Sequence, residues 1–261
     1  MARQRKIFIL TIGTRGDVQP FIYLAQALQR AGIKPLLITL PHFVHLGVEF
    51  GVQIASILEI GESWPDTGAL ADDGVESKKS FEERLILEPY AEYGCSMLRR
   101  IESLASEHSP DAIVVGMIIW FLNWLRETLK VPLVHAHLQP TRWLSTERSS
   151  DQSTRQVRFL ELLASNALLD FSFMSARTDH PHELHLLAYP ASLGVTHLPG
   201  VNGSRTGFWR ATHAGTLEHQ QMRQEVPIEL ARFLRGRGPP PVCLCFGSMP
   251  VYSRTRWSER S

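Results

Sequence analysis

The chain has 261 residues, 44% of them hydrophobic and 20% charged, and its 27 basic and 26 acidic residues give a formal net charge of +1. This composition supports a normal buried core and excludes a chain that is disordered throughout. A net charge this small argues against nucleic acid as the main partner. Three cysteines are too few for a disulfide framework, which favours a reducing compartment.

The chain opens with a short apolar run at residues 7–12, which predicts a strand buried on both faces. Basic residues precede this run, as they do in a signal peptide, but Arg15 and Asp17 follow it and no small-residue cleavage site does. The longest later apolar stretch, residues 112–125, is too short to span a bilayer. We therefore expect a soluble cytoplasmic protein.

A glycine-containing turn and an amphipathic helix follow the first predicted strand. Gly13 and Gly16 bracket the turn, where glycine tolerates a positive φ or a close approach of another backbone. The pattern places Pro20 in the first helical turn and Gly32 at the helix end. The apolar face of the helix consists of residues spaced at i, i+3, i+4 and i+7: Phe21, Leu24, Ala25 and Leu28.

Asp17 lies at the start of this helix, where two roles remain open. As a cap, its carboxylate accepts backbone N–H groups and suits the positive end of the helix dipole. As a functional group, it is a carboxylate at the carboxyl edge of a parallel sheet, where open α/β folds place their ligands. The Gly-x-x-Gly-Asp spacing lacks the glycines of a dinucleotide fingerprint, which disfavours an NAD-type oxidoreductase.

Strand and helix patterns alternate along the rest of the chain, which predicts an α/β fold: a Rossmann-like, mainly parallel sheet with helices on both faces. Further strands are predicted at residues 34–40, 52–58, 112–116, 131–135 and roughly 194–198. Predicted helices cover residues 42–50, 81–107 with a bend at Pro89, 120–130, 157–169 and 217–235. Residues 61–80 form a long polar loop, and residues 236–241 form a stiff proline-rich linker.

The segment Gly13–Pro20, with the sequence GTRGDVQP, closely resembles the opening of the family 28 glycosyltransferases, above all the sterol 3-beta-glucosyltransferases and the glycopeptide-antibiotic glucosyltransferases. These enzymes have two domains in the GT-B fold: the N-terminal half binds the acceptor and the C-terminal half binds the nucleotide sugar. The resemblance implies that Asp17 is the general base. It also implies a donor-binding role for the turn residues Gly13, Thr14, Arg15 and Gly16.

The acceptor contacts are expected at the sheet edge that carries Asp17. Four residues at or after predicted strand ends are candidates for them: His42, His137, Gln139 and Trp143. His137 is the best candidate for a second titratable group, although a buried, hydrogen-bonded histidine is the more ordinary state of such a residue. Trp64, in the long polar loop, is a further candidate for stacking on a lipophilic acceptor.

Two pairs of histidines have a spacing that metal ligands also show. His42 and His45 lie one helical turn apart but lack a third ligand nearby, so no zinc site is predicted there. His182 and His185 lie at i and i+3 just after Pro181, which suits a helix start. The resemblance places a surface helix at this point of the chain, and this interpretation is preferred to a metal site.

Residues 242–249 resemble the first strand and turn of the family's donor domain, in which Gly247 and Ser248 lie against the nucleotide-sugar phosphates. The resemblance stops shortly afterwards. We therefore divide the chain into an acceptor-binding domain, residues 1–235, and a linker with the truncated start of a donor domain, residues 236–261. The chain alone is expected to be inactive, because both halves of such an enzyme must close on the donor.

The resemblance implies a UDP-sugar-dependent, inverting transfer of a hexose, in the first place glucose, to a hydroxyl group of a lipophilic acceptor such as a sterol. UDP-glucose is then a co-substrate, and neither a cofactor nor a metal is expected. The alternative is a non-catalytic module that binds an acceptor or a lipid without turnover. Residues 231–261 carry six arginines against one glutamate, which is typical of a solvated tail or of peripheral contact with an anionic membrane.

Overall fold

The computed structural model describes residues 3–64, 88–116, 122–138, 183–190, 192, 202–210 and 228–235. The chain divides into two compact units, residues 1–209 and residues 210–261. In the second unit the described residues include one helix, Ile228–Leu234, none of whose side chains is buried. The domain boundary expected after residue 235 stays a prediction.

The first unit is built on a sheet of seven strands, counted within the described residues, and all neighbouring strands are parallel. In chain order they are β1 (Lys6–Leu10), β2 (Lys34–Thr39), β3 (Ile54–Ser56), β4 (Ala112–Val115), β5 (Leu133–His137), β6 (Leu184–Leu187) and β7 (Asn202–Arg205). Their order across the sheet is β3-β2-β1-β4-β5-β6-β7. This arrangement confirms the predicted α/β fold with its mainly parallel sheet.

Helices alternate with the strands from β1 to β5. They are α1 (Arg15–Arg30), a 3-10 helix (Pro41–Phe43), α2 (Leu46–Phe50), α3 (Glu88–His108) and α4 (Leu122–Leu129), and the helix of the second unit is α5 (Ile228–Leu234). Among these described helices, none combines the length and the apolar character that crossing a bilayer requires.

Strand β1 lies inside the sheet, between β2 and β4. Phe8, Ile9 and Leu10 are consecutive and all buried, so both faces of the strand are covered, as is usual in parallel sheets. The chain runs from β1 through β2 to β3 on one side and then returns to β4 on the other. The strand order therefore reverses between β1 and β4, and open α/β sheets bind their ligands at such a switch point.

The predicted strands at residues 7–12, 34–40, 52–58, 112–116 and 131–135 correspond to β1, β2, β3, β4 and β5. β5 continues past its predicted end at residue 135 because His137 still pairs with Leu187 of β6. The strand predicted at residues 194–198 and the helix predicted at residues 157–169 lie outside the described residues.

The helix predicted around His182 and His185 is wrong for the part of it that the structure describes. Leu184–Leu187 form β6, which pairs with β5 on one side and with β7 on the other. Its burial alternates, with His185 and Leu187 buried and their neighbours less so, which is the period of a strand. Local spacing favoured a helix, but pairing with two strands that are distant in the sequence decides the conformation.

Helix α1 begins at Arg15, so Pro20 lies in the second turn instead of the first, where it was predicted. Pro20 has no N–H to donate to the carbonyl one turn earlier, which costs this helix one internal hydrogen bond. The early start is stabilised at Thr14, whose carbonyl oxygen accepts the amides of Asp17 at 2.9 Å and Val18 at 3.2 Å.

Trp209, the last residue of the first unit, is expected to stabilise that unit. Its ring packs edge-on against Phe21 of α1, with the ring centroids 5.5 Å apart, and its Nε1 donates to Thr206 Oγ1 at 2.9 Å. Replacing this half-buried ring, Trp209→Ala, is predicted to lower the free energy of unfolding by about 2 kcal/mol, measured by urea denaturation. The neighbouring Phe208 is 58% exposed, and Phe208→Ala is predicted to cost less than about 0.5 kcal/mol. Equal losses in the two variants would contradict this assignment.

Candidate active site

The carboxyl ends of β1 and β4 lie against each other at the switch point. The amide of Gly116, directly after β4, donates to the carbonyl of Leu10 at 2.8 Å. A Cβ atom on Gly116 would lie only 3.0 Å from Thr11 Oγ1, so the two strand ends are in close contact. Thr11 Oγ1 in turn donates to the backbone carbonyl of Asp17 at 3.1 Å. These contacts fix the start of α1 relative to the edge of the sheet.

Asp17 is the third residue of α1, and its carboxylate turns back toward the residue that precedes the helix. Its Oδ2 accepts the backbone N–H of Thr14 at 2.8 Å and the Thr14 hydroxyl at 3.0 Å. An acidic side chain at this helix position makes the same contact in a capping box. The capping role is therefore present in the structure. Within the described part of the chain, the other oxygen, Oδ1, accepts no hydrogen bond.

Residue 13 must be glycine, because the carboxylate of Asp17 occupies the space that a side chain would need. Its φ is 137°, a value that other residues rarely adopt, and an added Cβ would lie 2.4 Å from Asp17 Oδ2. Gly16 is different, because a Cβ there would meet only Thr14 Oγ1, at an ordinary distance of 3.6 Å. Of the two glycines predicted to bracket the turn, Gly13 is the one on which the geometry depends.

Arg15 and His42, two further predicted site residues, lie at the same edge of the sheet. Arg15 is exposed at the start of α1, and its Nε donates to Gln19 Oε1 at 3.3 Å. His42 is exposed in the 3-10 helix that follows β2, and its ring centroid lies 4.1 Å from that of Phe43. Because β1 and β2 are adjacent and parallel, both residues follow neighbouring strand ends.

The remaining predicted contacts have different outcomes. Trp64, a candidate for stacking on a lipophilic acceptor, is only 6% exposed and belongs to the hydrophobic core, so in this structure its ring is not available for stacking. The polar composition of its loop did not reveal that the loop begins with a buried ring. Four residues lie outside the described residues, and their roles stay predictions: Gln139, Trp143, Gly247 and Ser248.

His137, the predicted second titratable group, is the last residue of β5 and is 1% exposed. Its Nε2 lies 3.0 Å from His185 Nδ1, and the two rings are parallel, with centroids 5.3 Å apart. His185 also stacks on His135 at 4.5 Å. The three imidazoles thus form a buried stack between β5 and β6, and the side chain of His137 has almost no surface for a ligand.

Next to this stack, Glu183 binds an arginine and a histidine. Arg126 of α4 donates to both of its carboxylate oxygens, at 2.5 and 2.6 Å, and His135 Nε2 lies 2.5 Å from Oε2. Burial alone would raise the pKa of Glu183, but the hydrogen bonds and charges of these two partners lower it from 4.5 to about 2. This cluster was not predicted from the sequence, although the His-x-His of β5 and the His of β6 indicated that the two strands carry polar residues at facing positions.

No group of three or more His, Cys, Asp or Glu side chains is arranged to hold a metal ion among the residues that the structure describes. The ring nitrogens of the histidines are engaged with other protein groups: His137 Nε2 lies 3.0 Å from His185 Nδ1, and His135 Nε2 lies 2.5 Å from Glu183 Oε2. The histidine cluster is therefore a packing and hydrogen-bonding feature of the sheet.

Comparison with known proteins agrees with this fold. Residues 7–114 match the family model described as Glycosyltransferase family 28 N-terminal domain. This stretch runs from β1 to β4, includes Asp17 and the GTRGDVQP segment, and covers 108 of the 261 residues. No curated protein matches the sequence.

Solved glycosyltransferases share the fold of this chain at low sequence identity. The spinosyn rhamnosyltransferase SpnG is 17% identical, with a TM-score of 0.52 over 82% of this chain and 52% of its own. SnogD from Streptomyces nogalater is 14% identical, with a TM-score of 0.50 over 82% of this chain and 54% of its own. The chain thus spans about half the length of the solved glycosyltransferases that it matches. Its architecture is that of the N-terminal half of a GT-B glycosyltransferase.

The contact between Gly13 and Asp17 predicts a measurable cost for any side chain at residue 13. Gly13→Ala requires an unfavourable φ and pushes the carboxylate of Asp17 out of its place, so we expect a loss of about 1–3 kcal/mol in the free energy of unfolding. Gly16→Ala is the matched control in the same turn, and it is expected to be neutral or slightly stabilising because it lies within a helix. A Gly13→Ala protein as stable as wild type in urea denaturation would contradict the assignment.

The lowered pKa of Glu183 predicts a defined loss of stability in acid. A carboxyl group with a lower pKa in the folded state stabilises the protein fully above its unfolded pKa, and the contribution is lost as the pH falls from about 4.5 to about 2. Glu183→Gln is expected to cost about 3 kcal/mol at pH 7, because Arg126 then stays buried beside a neutral group. The difference from wild type should shrink below pH 4.5 in urea titrations. Glu49→Gln, at an exposed site on α2, controls for the loss of a negative charge; a difference between wild type and Glu183→Gln that is constant with pH would contradict the assignment.

Proposed function

We propose that this chain is the acceptor-binding half of an inverting glycosyltransferase, which transfers a hexose from a nucleoside diphosphate sugar to a hydroxyl group of a lipophilic acceptor. The observation that carries the proposal is the carboxylate of Asp17, which is held at the switch point of the sheet and has one oxygen that accepts no hydrogen bond from the described residues. Asp17 also lies within the segment that matches the family 28 N-terminal domain.

In this reaction Asp17 is the general base. The acceptor hydroxyl gives its proton to the carboxylate as its oxygen attacks the anomeric carbon of the sugar. The bond between that carbon and the diphosphate breaks at the same time, and the nucleoside diphosphate leaves with the electron pair, so the configuration at the anomeric carbon inverts. A carboxylate fixed by two hydrogen bonds contributes mainly through its position, since the proton moves late in such a displacement.

The donor and the acceptor are proposed from resemblance. The GTRGDVQP segment resembles enzymes that use UDP-glucose and sterols, which favours these two substrates. A solved SpnG structure carries thymidine diphosphate, so a thymidine diphosphate sugar is the donor to compare. The chain spans about half the length of its solved relatives, and in the proposed enzyme a second half supplies most donor contacts. Transfer is therefore assayed with the whole chain, alone and joined at its carboxyl terminus to the donor half of a solved GT-B glycosyltransferase.

The decisive variant is Asp17→Asn. The amide oxygen of asparagine still accepts the Thr14 N–H, so the cap and the fold are expected to persist, whereas the base is lost. We expect incorporation of radiolabelled glucose from UDP-glucose into sterol to fall by about 10²–10⁴-fold, with unchanged binding of a labelled sterol. Glu49→Gln, far along the chain on α2, is the control for charge. Near-normal turnover by Asp17→Asn would leave Asp17 with the capping role alone.

A second candidate is a non-catalytic module that binds an acceptor or a lipid. It is favoured by one observation, that the hydrogen bonds of Asp17 are those of a helix cap. In this case the chain binds labelled sterol in a saturable way. No sugar is incorporated, whether the chain is alone or joined to a donor half, and Asp17→Asn changes neither result. The same pair of assays therefore separates the two candidates.

A further inference from the structure

Thr14 directs both of its hydrogen-bond donors to the same atom. Its backbone N–H and its hydroxyl both donate to Oδ2 of Asp17, at 2.8 and 3.0 Å. A threonine hydroxyl has a single proton to donate. In this structure that proton is committed to Asp17, and the hydroxyl therefore has none left for an oxygen of a diphosphate.

The two oxygens of the Asp17 carboxylate are consequently not equivalent. Oδ2 accepts two hydrogen bonds and lies so close to Gly13 that a Cβ atom added to Gly13 would be 2.4 Å from it. Oδ1 accepts none among the described residues, and the side chain as a whole is half-buried. Rotation of the carboxylate about the Cβ–Cγ bond would exchange the two oxygens, but it would break both hydrogen bonds from Thr14.

We propose that Oδ1 of Asp17 is the oxygen that takes the proton of the acceptor hydroxyl, and that Thr14 is a positioning residue which fixes this choice. The proposal rests on the glycosyl transfer proposed above. It reassigns Thr14, which the sequence resemblance places among the donor contacts, to the orientation of the base. The proton moves from the acceptor oxygen to Oδ1, while Oδ2 keeps both of its hydrogen bonds throughout the step.

The test is Thr14→Val, which keeps the size and the backbone N–H of the residue but removes the hydroxyl. Losing one hydrogen bond to a charged group is expected to lower kcat about tenfold, with the KM values for the sugar donor and the acceptor each within about twofold of wild type. Thr14→Ser restores the hydroxyl and is expected to recover most of the rate. Transfer is measured in the same joined protein as for Asp17→Asn.

A control separates positioning from loss of helix stability. Gln26, on the same helix, donates through Nε2 to the carbonyl of Phe50 at 2.9 Å, and it lies about 13 Å along the helix axis from Asp17. Gln26→Ala and Thr14→Val are each expected to cost about 1 kcal/mol in urea denaturation. Only Thr14→Val is expected to change kcat.

The outcomes are distinguishable. A Thr14→Val enzyme with normal kcat and a raised KM for the sugar overturns the proposal in favour of a donor contact. Normal kcat and KM with reduced stability overturn it in favour of a cap alone, while the proposed function stands. If the wild-type chain transfers no sugar, either alone or joined to a donor half, the proposed function fails and this assignment fails with it.

Discussion

The contact between Thr14 and the carboxylate of Asp17 stabilises the start of α1, directly after the turn that follows β1. It ties the first turn of the helix to the turn that leaves the sheet, and Thr11 ties the same turn to the strand itself through the Asp17 carbonyl. Gly13 makes the contact possible, since its missing Cβ leaves the space that the carboxylate occupies. The end of β4 and the exposed residues after β2 lie at the same edge of the sheet as this contact.

Capping and catalysis are compatible roles for such a carboxylate. The sequence presents them as alternatives, because spacing alone shows only that an acidic residue starts a helix. The structure shows that the cap uses one oxygen and leaves the other without a hydrogen bond in the described residues. A reactive group needs a fixed orientation, and hydrogen bonds from its own helix start supply it without any further residue.

The sequence predicts those parts of the molecule that depend on neighbours along the chain. β1, α1 and the place of Asp17 follow from an apolar run, a glycine turn and a helical repeat within the first 32 residues. β6 was predicted wrongly because its conformation depends on pairing with β5 and β7, and the contact of Glu183 with Arg126 spans 57 positions. The same limit applies to Trp64, because the polar composition of its loop does not indicate that the first residues of the loop pack against the core.

The buried histidine stack determines the alignment of β6. A short apolar strand can pair with β5 in several registers, but only one of them places His185 next to both His135 and His137. A shift by one residue would turn His185 to the opposite face and leave buried polar atoms without partners. The imidazoles therefore select the register in which β6 joins the sheet.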